Sequence, residues 1–309
     1  MDYVKIFSPA TVANVSCGFD TLGFAVNNLG DEMTFVRTPE KRVEITNITG
    51  ADLPYDANTN AAGVVVQKML ADANADFGVQ ITMHKGFFPG SGLGSSAASS
   101  AGAAFGANKL LGDVFSELEL TKYAMLGEEV ACNSQIADNV AAAIYGGFVL
   151  IRSYNPLDII KLPVPSKLRL VAIHPQIQVR TEDARNVLPK EIALKDAVTQ
   201  WANVGGLVAG LYSKDYNLIS NSLQDIIVEP HRKKLIPYFD EVKTAAIQAG
   251  ALGAGISGSG PTIFALCEGE DVSKNVENAI EKSYRNKGID FEIYSSKINK
   301  KGIKILSSY

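Results

Sequence analysis

Cysteine, histidine and tryptophan are scarce in this chain of 309 residues, which holds three, three and one of them. The cysteines (Cys17, Cys132, Cys267) are odd in number and far apart. That argues against a disulfide framework and against zinc, and fits a reducing compartment. The histidines are equally scattered and show no metal-ligand spacing. No apolar run is long enough to cross a bilayer. The opening Met-Asp-Tyr-Val-Lys does not have the form of a signal peptide. A formal charge of −4 gives no electrostatic support for nucleic-acid binding. The expectation is a globular cytoplasmic enzyme with neither a membrane nor a nucleic-acid partner.

Glycine and serine, by contrast, are concentrated in Pro89-Gly-Ser-Gly-Leu-Gly-Ser-Ser-Ala-Ala-Ser-Ser100. The segment before it, Val79 to Lys85, alternates apolar and polar residues as a strand does. A small-residue helix, Ser95 to Leu111, follows. Strand, glycine loop and helix N-terminus together make an anion site. Glycines let the backbone turn N–H groups toward an oxyanion, and the helix end adds unpaired donors with a partial positive charge. A phosphate suits such a site, and a nucleotide suits the phosphate. The competing reading is an ordinary turn with close helix packing, because no large residue precedes Phe105 in the helix. The loop is not a Walker A motif, since no Lys-Ser or Lys-Thr follows the last glycine. Its spacing is also wrong for a dinucleotide fingerprint.

Strand-like and helix-like segments interleave. Val4–Phe7, Glu32–Arg37 and Val43–Thr46 look like strands, and Asn60–Ala75 and Glu117–Ala131 like helices. Tyr145–Arg152 and Leu168–His174 look like further strands, and Glu191–Leu211 and Tyr238–Gln248 like further helices. A second glycine-rich run, Gly250–Thr262, leads into the apolar strand Ile263–Cys267. A helix (Val272–Lys287) and a strand (Phe291–Ser295) follow. The proline-rich Leu162-Pro-Val-Pro-Ser166 is the best candidate boundary. It divides the chain into an N-terminal domain, 1–160, which carries the candidate nucleotide loop, and a C-terminal domain, 161–309. The mixture in both halves argues α+β. Gly205-Gly206, inside a helix, implies a kink or tight packing.

Three separated segments ask for one explanation. They are Pro9-Ala-Thr-Val-Ala-Asn14-Val-Ser-Cys-Gly18-Phe-Asp20, the glycine loop, and Gly255-Ile-Ser-Gly-Ser-Gly-Pro-Thr262. In this order they resemble the GHMP superfamily of small-molecule kinases over nearly the whole chain. The first motif lacks the Gly-Glu-His pattern of the mevalonate- and galactokinase-like members. Together with Asp138-Asn139, Ala184-Arg185-x-Val-Leu-Pro189 and Glu229-Pro-His-Arg232, it is similar to the homoserine kinase family. The resemblance implies a two-domain α+β fold with a left-handed βαβ region at the phosphate loop. It also implies transfer of the ATP γ-phosphoryl group to the side-chain hydroxyl of L-homoserine, a step of threonine biosynthesis.

It further implies roles. Pro89, Gly90, Ser91, Gly92, Leu93, Gly94, Ser95 and Ser96 cradle the triphosphate, with Asn60 on the adenine side. Ser96 and Glu128 hold Mg²⁺, which takes few protein ligands and keeps several waters. Arg185 and Arg232 grip the homoserine carboxylate, and Asp20 with Asn14 takes its ammonium group. Asn139 approaches the reacting hydroxyl. An amide is no strong base, so the implied mechanism is direct attack aided by alignment and charge stabilisation. Asp138 is not assigned as a base. Family members are often dimers, so a homodimer is the expected partner state, although no interface stripe is readable.

Residue by residue, blander readings compete. Glu128 by itself reads first as a solvated helix acid, and only the family match promotes it; Asn60 reads equally as a helix cap, and each arginine more commonly as a surface charge. One departure bears on the substrate. The family commonly has His-x-Asp-Asn where this chain has Ile136-Ala-Asp138-Asn139, and isoleucine cannot hydrogen-bond. Gln135 or Ser134 is positioned to compensate. Two alternatives stay open: a sibling kinase for another small alcohol, and a non-catalytic ligand-binding relative.

Overall fold

A computed structural model describes the whole chain, Met1–Tyr309. Strands β1 (Tyr3–Ala13), β2 (Leu22–Thr38) and β3 (Val43–Thr49) come first, then helix α1 (Ala61–Asp72), strand β4 (Gly78–His84) and helices α2 (Ser95–Leu111), α3 (Glu117–Cys132) and α4 (Asp138–Tyr145). Strands β5 (Phe148–Tyr154), β6 (Leu157–Leu162) and β7 (Leu168–Pro175) lead to α5 (Thr181–Asn186), α6 (Leu194–Ser213), α7 (Tyr216–Ser222), α8 (Glu229–Arg232) and α9 (Phe239–Gln248). The chain closes with β8 (Gly253–Ile256), β9 (Ile263–Glu268), α10 (Glu270–Tyr284), β10 (Phe291–Lys297) and β11 (Lys304–Ser308).

The first sheet has seven strands, ordered β11-β1-β2-β4-β3, with β5 and β6 extending from β2. The 17 residues of β2 give it room for three partners. It pairs with β1 along most of its length, with β4 beyond Asp31 and with β5 at Leu22–Phe24. The parallel pair β3–β4 is joined through α1, the βαβ unit expected at the phosphate loop. Helix α2 lies on this sheet, and its small residues set the distance. A side chain at Gly106 would collide with the Phe35 ring, 2.3 Å from an added Cβ. Phe35 is fully buried, so cutting it to alanine should cost about 3–5 kcal/mol.

The second sheet, β10-β7-β9-β8, is antiparallel. Helices α9 and α10 contribute to the core on one side of it. The other side shares a core with the first unit, in which Phe24, Phe148 and Phe264 meet. An apolar interface of this kind resists independent domain motion.

Several expectations shift. The 160/161 boundary falls inside β6, which pairs with β5 in the first sheet. The chain's last strand, β11, leaves the second unit to pair with β1. Tyr145 ends a helix instead of opening a strand. That helix, α4, has only eight residues and follows no side-chain cap, so neither periodicity nor a start signal announced it. Helix α6 runs unbroken through Gly205-Gly206, and an added Cβ at Gly206 would meet Ser222 Oγ at 2.3 Å. Packing, not a kink, explains that glycine.

Candidate active site

Helix α2 begins where the glycine loop ends. Its N-cap is Gly94, at φ +70° and without a side-chain cap. The first intrahelical bond is Ala98 N to Gly94 O, so the amides of Ser95, Ser96 and Ala97 are free to face an anion. Pro89 and Gly90 are exposed, whereas Ser91 and Leu93 point inward. The third motif anchors the loop from below. Thr262 Oγ1 donates to the Ser91 carbonyl at 2.6 Å, and Ser257 Oγ to the Gly92 carbonyl at 2.7 Å. Of the eight loop residues expected to cradle phosphate, Ser91 and Leu93 can thus contribute only backbone.

Helices α2 and α3 approach closely where Ser100 faces Gly127, 2.3 Å from an added Cβ. That contact brings the next residue, Glu128, to Ser96, whose Oγ donates to Glu128 Oε2 at 3.1 Å. Glu128 is buried, and burial pushes its carboxyl up to about 7, against the pull of Ser96 and of the Lys85 charge. Its Oε1 has no hydrogen-bond partner. An orphaned buried carboxylate oxygen calls for a ligand. Beside a serine hydroxyl in the first turn of a helix with unpaired leading amides, it suits a hard cation. The donor set therefore fits Mg²⁺.

Lys85 and Asp31 escaped the sequence reading. They form a fully buried ion pair beneath the first turn of α2. Lys85 Nζ also donates to the Ser95 carbonyl at 2.8 Å and to Ser99 Oγ at 2.9 Å. Burial lowers the lysine and raises the aspartate, each opposed by the partner's charge. A signal was present. Lys85 falls in phase with the inward residues Val79, Ile81 and Met83 of the preceding strand, where a lysine needs a partner.

The first motif continues from β1 into a strained turn. Asn14, Val15 and Ser16 have φ of 69°, 43° and 62°, values rarely seen in succession and costly for a β-branched residue. Surrounding contacts hold it. Asn14 Nδ2 donates to the Gly258 carbonyl at 2.8 Å, and its Oδ1 accepts from Asp20 N at 3.0 Å. Gln200 Nε2 donates to the Cys17 carbonyl at 3.0 Å. Tyr154 Oη donates to the Asp20 carbonyl at 2.8 Å. Asn14 therefore positions Asp20 and the third motif, with each end of its amide engaged by backbone.

Asp20 faces Arg185 in a forked ion pair, with Nη2–Oδ1 at 3.1 Å and Nη1–Oδ2 at 3.3 Å. Arg232 is 3% exposed. Its Nε donates to the Ala184 carbonyl and its Nη1 to the Gly258 carbonyl, both at 2.9 Å. Burial pulls its guanidinium down to about 10, so it stays charged at neutral pH. The Phe19 ring lies 5.7 Å from Arg185 and 4.9 Å from Arg232, which ties the two cations to one spot. Asn139 stands in the first turn of α4, where its Oδ1 accepts from Thr11 Oγ1 at 2.7 Å. Asp138, also buried, accepts from the Asn139 amide at 2.8 Å. Burial first, then the Asp20 charge, push its carboxyl up to about 7.

The fold thus gathers Asn14, Asp20, Arg185 and Arg232 on one side, and Ser96 and Glu128 on the other. Asn139 connects them, because an added Cβ on Gly94 would lie 2.9 Å from its Oδ1. Asn60 behaves as a helix cap: Oδ1 accepts from Ala62 N at 2.9 Å and Nδ2 donates to the Pro54 carbonyl at 2.7 Å. The cap accounts for both ends of that amide. Ile136 is half-buried. The Gln135 side chain is engaged by Glu129, and the Ser134 carbonyl accepts from Cys132 Sγ.

Comparison with known proteins agrees with this layout. Family models for the GHMP kinases N-terminal domain and the GHMP kinases C-terminal region match residues 60–147 and 207–286. The chain is 46% identical over 320 residues to a homoserine kinase of Chlorobium phaeovibrioides, covering 99% of this chain and all of the relative. It is 42% identical to one of Chlorobaculum tepidum, with 100% and 99% covered. A crystal structure of homoserine kinase from Cytophaga hutchinsonii superposes with a TM-score of 0.96 at 51% identity, covering 99% of this chain and 98% of that one.

Proposed function

The chain belongs to the homoserine kinase family of the GHMP kinases, and from that premise we infer that it moves the γ-phosphoryl group of ATP to the side-chain hydroxyl of L-homoserine. The products are O-phospho-L-homoserine and ADP, in threonine biosynthesis. One observation carries this reading: two arginines, an aspartate and an amide converge where the last glycine of an anion-binding loop opens a helix.

The amides of the loop and of the first α2 turn hold the phosphates, with the Lys85–Asp31 pair fixing that turn from beneath. Ser96 and Glu128 are the residues we propose to hold Mg²⁺, which would supply charge neutralisation on the phosphates. On the acceptor side, Asp20 and Arg185 satisfy each other in the free protein. A zwitterionic amino acid can replace that one ion pair with two, its ammonium on Asp20 and its carboxylate on Arg185 and Arg232. Asn139 aligns the hydroxyl, and phosphoryl transfer needs little beyond alignment and charge stabilisation. The test is ADP release from Mg²⁺ATP with L-homoserine, serine, threonine, shikimate or mevalonate. Homoserine-dependent release that collapses without Mg²⁺ is expected. No homoserine-dependent release would refute the reading, and preference for another alcohol would indicate a sibling kinase.

A cytoplasmic location is proposed too, supported by three unpaired thiols. So is a homodimer, through the outward face of α6. At about 100° per residue, Leu194, Val198, Trp201, Gly205 and Tyr212 share that face, and Leu194, Trp201 and Tyr212 are 73%, 57% and 58% exposed. The stripe complements itself. In an antiparallel pair, Trp201 meets Gly205 of a second copy, where nothing lies within 4 Å of an added Cβ. Leu194 then meets Tyr212, and the flanking Glu191 approaches Lys214. Sedimentation should give a dimer for the native chain and a monomer for Trp201→Glu; a native monomer contradicts the interface.

A further inference from the structure

We propose that Thr11 is a positioning residue for the transfer step, fixing the side-chain amide of Asn139 so that only its N–H groups face the reactants. The inference rests on the role of Asn139 given above and adds what sets its orientation.

Thr11 sits near the end of β1 and is fully buried. Its backbone N–H donates to the Leu93 carbonyl at 2.9 Å, which ties the strand to the phosphate loop. Its hydroxyl has a single partner, Asn139 Oδ1, at 2.7 Å. Both groups crowd the last glycine of the loop: an added Cβ on Gly94 would lie 2.1 Å from Thr11 Oγ1 and 2.9 Å from Asn139 Oδ1. The Thr11–Asn139 bond therefore lies directly behind the point where the helix amides emerge.

A hydroxyl that donates to Oδ1 makes one end of the amide the acceptor and leaves Nδ2 outward. No other side chain bonds the Asn139 amide, and its backbone N–H is held by Asp138 Oδ1. Two N–H donors then point from a rigid mount toward the site. Such donors can hold the lone pair of the attacking oxygen or the charge that gathers on the transferring group. They cannot take up the hydroxyl proton, which passes to an oxygen of the transferred phosphoryl group as the bond to the acceptor forms and the bond to ADP breaks. Without Thr11 Oγ1, the amide is free to turn over and present an acceptor to anionic oxygens, a repulsive arrangement.

Three variants and one cycle test this. Thr11→Val keeps the shape, the β-branching and the backbone N–H but removes the hydroxyl; Thr11→Ser keeps the hydroxyl. The expected result is a kcat about ten-fold lower for Thr11→Val, with KM for ATP and homoserine within about two-fold of native. Thr11→Ser should stay within about three-fold of native kcat. In the Asn139→Ala background, Thr11→Val should lower kcat no further, the non-additivity expected of one coupled unit. Native kcat in Thr11→Val, equal loss in Thr11→Ser, or full additivity with Asn139→Ala would each overturn the proposal. Native kcat in Asn139→Ala would instead remove the role given to Asn139, and this proposal with it. The melting temperature of Thr11→Val should fall only by the few degrees that one lost hydrogen bond costs; such a fall together with additivity marks a purely structural threonine and overturns the proposal.

Discussion

The donor side and the acceptor side of this site are built in different ways. The proposed phosphate cradle is contiguous, Pro89 to Ser96, and offers mostly backbone N–H groups at a helix end. The proposed acceptor pocket is made of side chains drawn from residues 14, 20, 139, 185 and 232. Backbone donors need only a chain conformation, which glycine and a helix start supply locally. A zwitterion needs both charges at set positions, and only long-range packing brings such charges together. The two sides also store strain differently. The loop places glycines at its positive φ angles, whereas the turn at Asn14–Ser16 forces ordinary residues there and relies on surrounding hydrogen bonds.

The largest effect should come where the two sides touch. Gly94→Ala puts a methyl group against Thr11 and Asn139 at a positive φ. It should damage both sides at once, lowering kcat/KM at least about 100-fold by steady-state kinetics. A selective loss of ATP affinity alone would show that the sides are independent there.

Arg232→Ala separates the sides. The KM for homoserine should rise by about 100-fold, the loss of a charge-assisted contact, while the KM for ATP changes by less than about three-fold. Equal loss of both would place Arg232 in the scaffold, through its bonds to Ala184 and Gly258, and would contradict the division.

The smallest effect concerns the charge buried on the acceptor side. Burial holds the Asp138 carboxyl at about 7 in the folded chain, above the ordinary 3.8. Between those values the native state binds more protons than the unfolded chain, so stability falls as pH rises from about 4 to about 7. Asp138→Asn should therefore match native stability near pH 4 and exceed it at pH 8, read by urea denaturation at both pH values. A variant equally destabilised at both would show that Asp138 acts only as an acceptor for the Asn139 amide.

The same division sets what was legible beforehand. The strand, loop and helix around Pro89–Ser100 follow from alternation, glycine and small residues. Lys85 was concealed because a lysine in a strand reads as polar unless its phase is followed. Helix α4 was concealed by its length, and with it the mount of Asn139. The return of β11 to β1 could not be read at all, since strand pairing across the full chain leaves no local trace. Asn60 shows the converse: its helix cap was readable beforehand and rests on partners only two and six residues away.

By itself the sequence determined an α+β fold, a glycine loop opening a helix and the family likeness, because these rest on local conformation and ordered motifs. The tertiary structure decided that Asp20 faces Arg185, that Glu128 reaches Ser96 across Gly127, and that Thr11 holds Asn139. Each of those joins residues 32 to 165 positions apart. Contacts at that separation depend on how whole elements pack, and packing is a property of the assembled core.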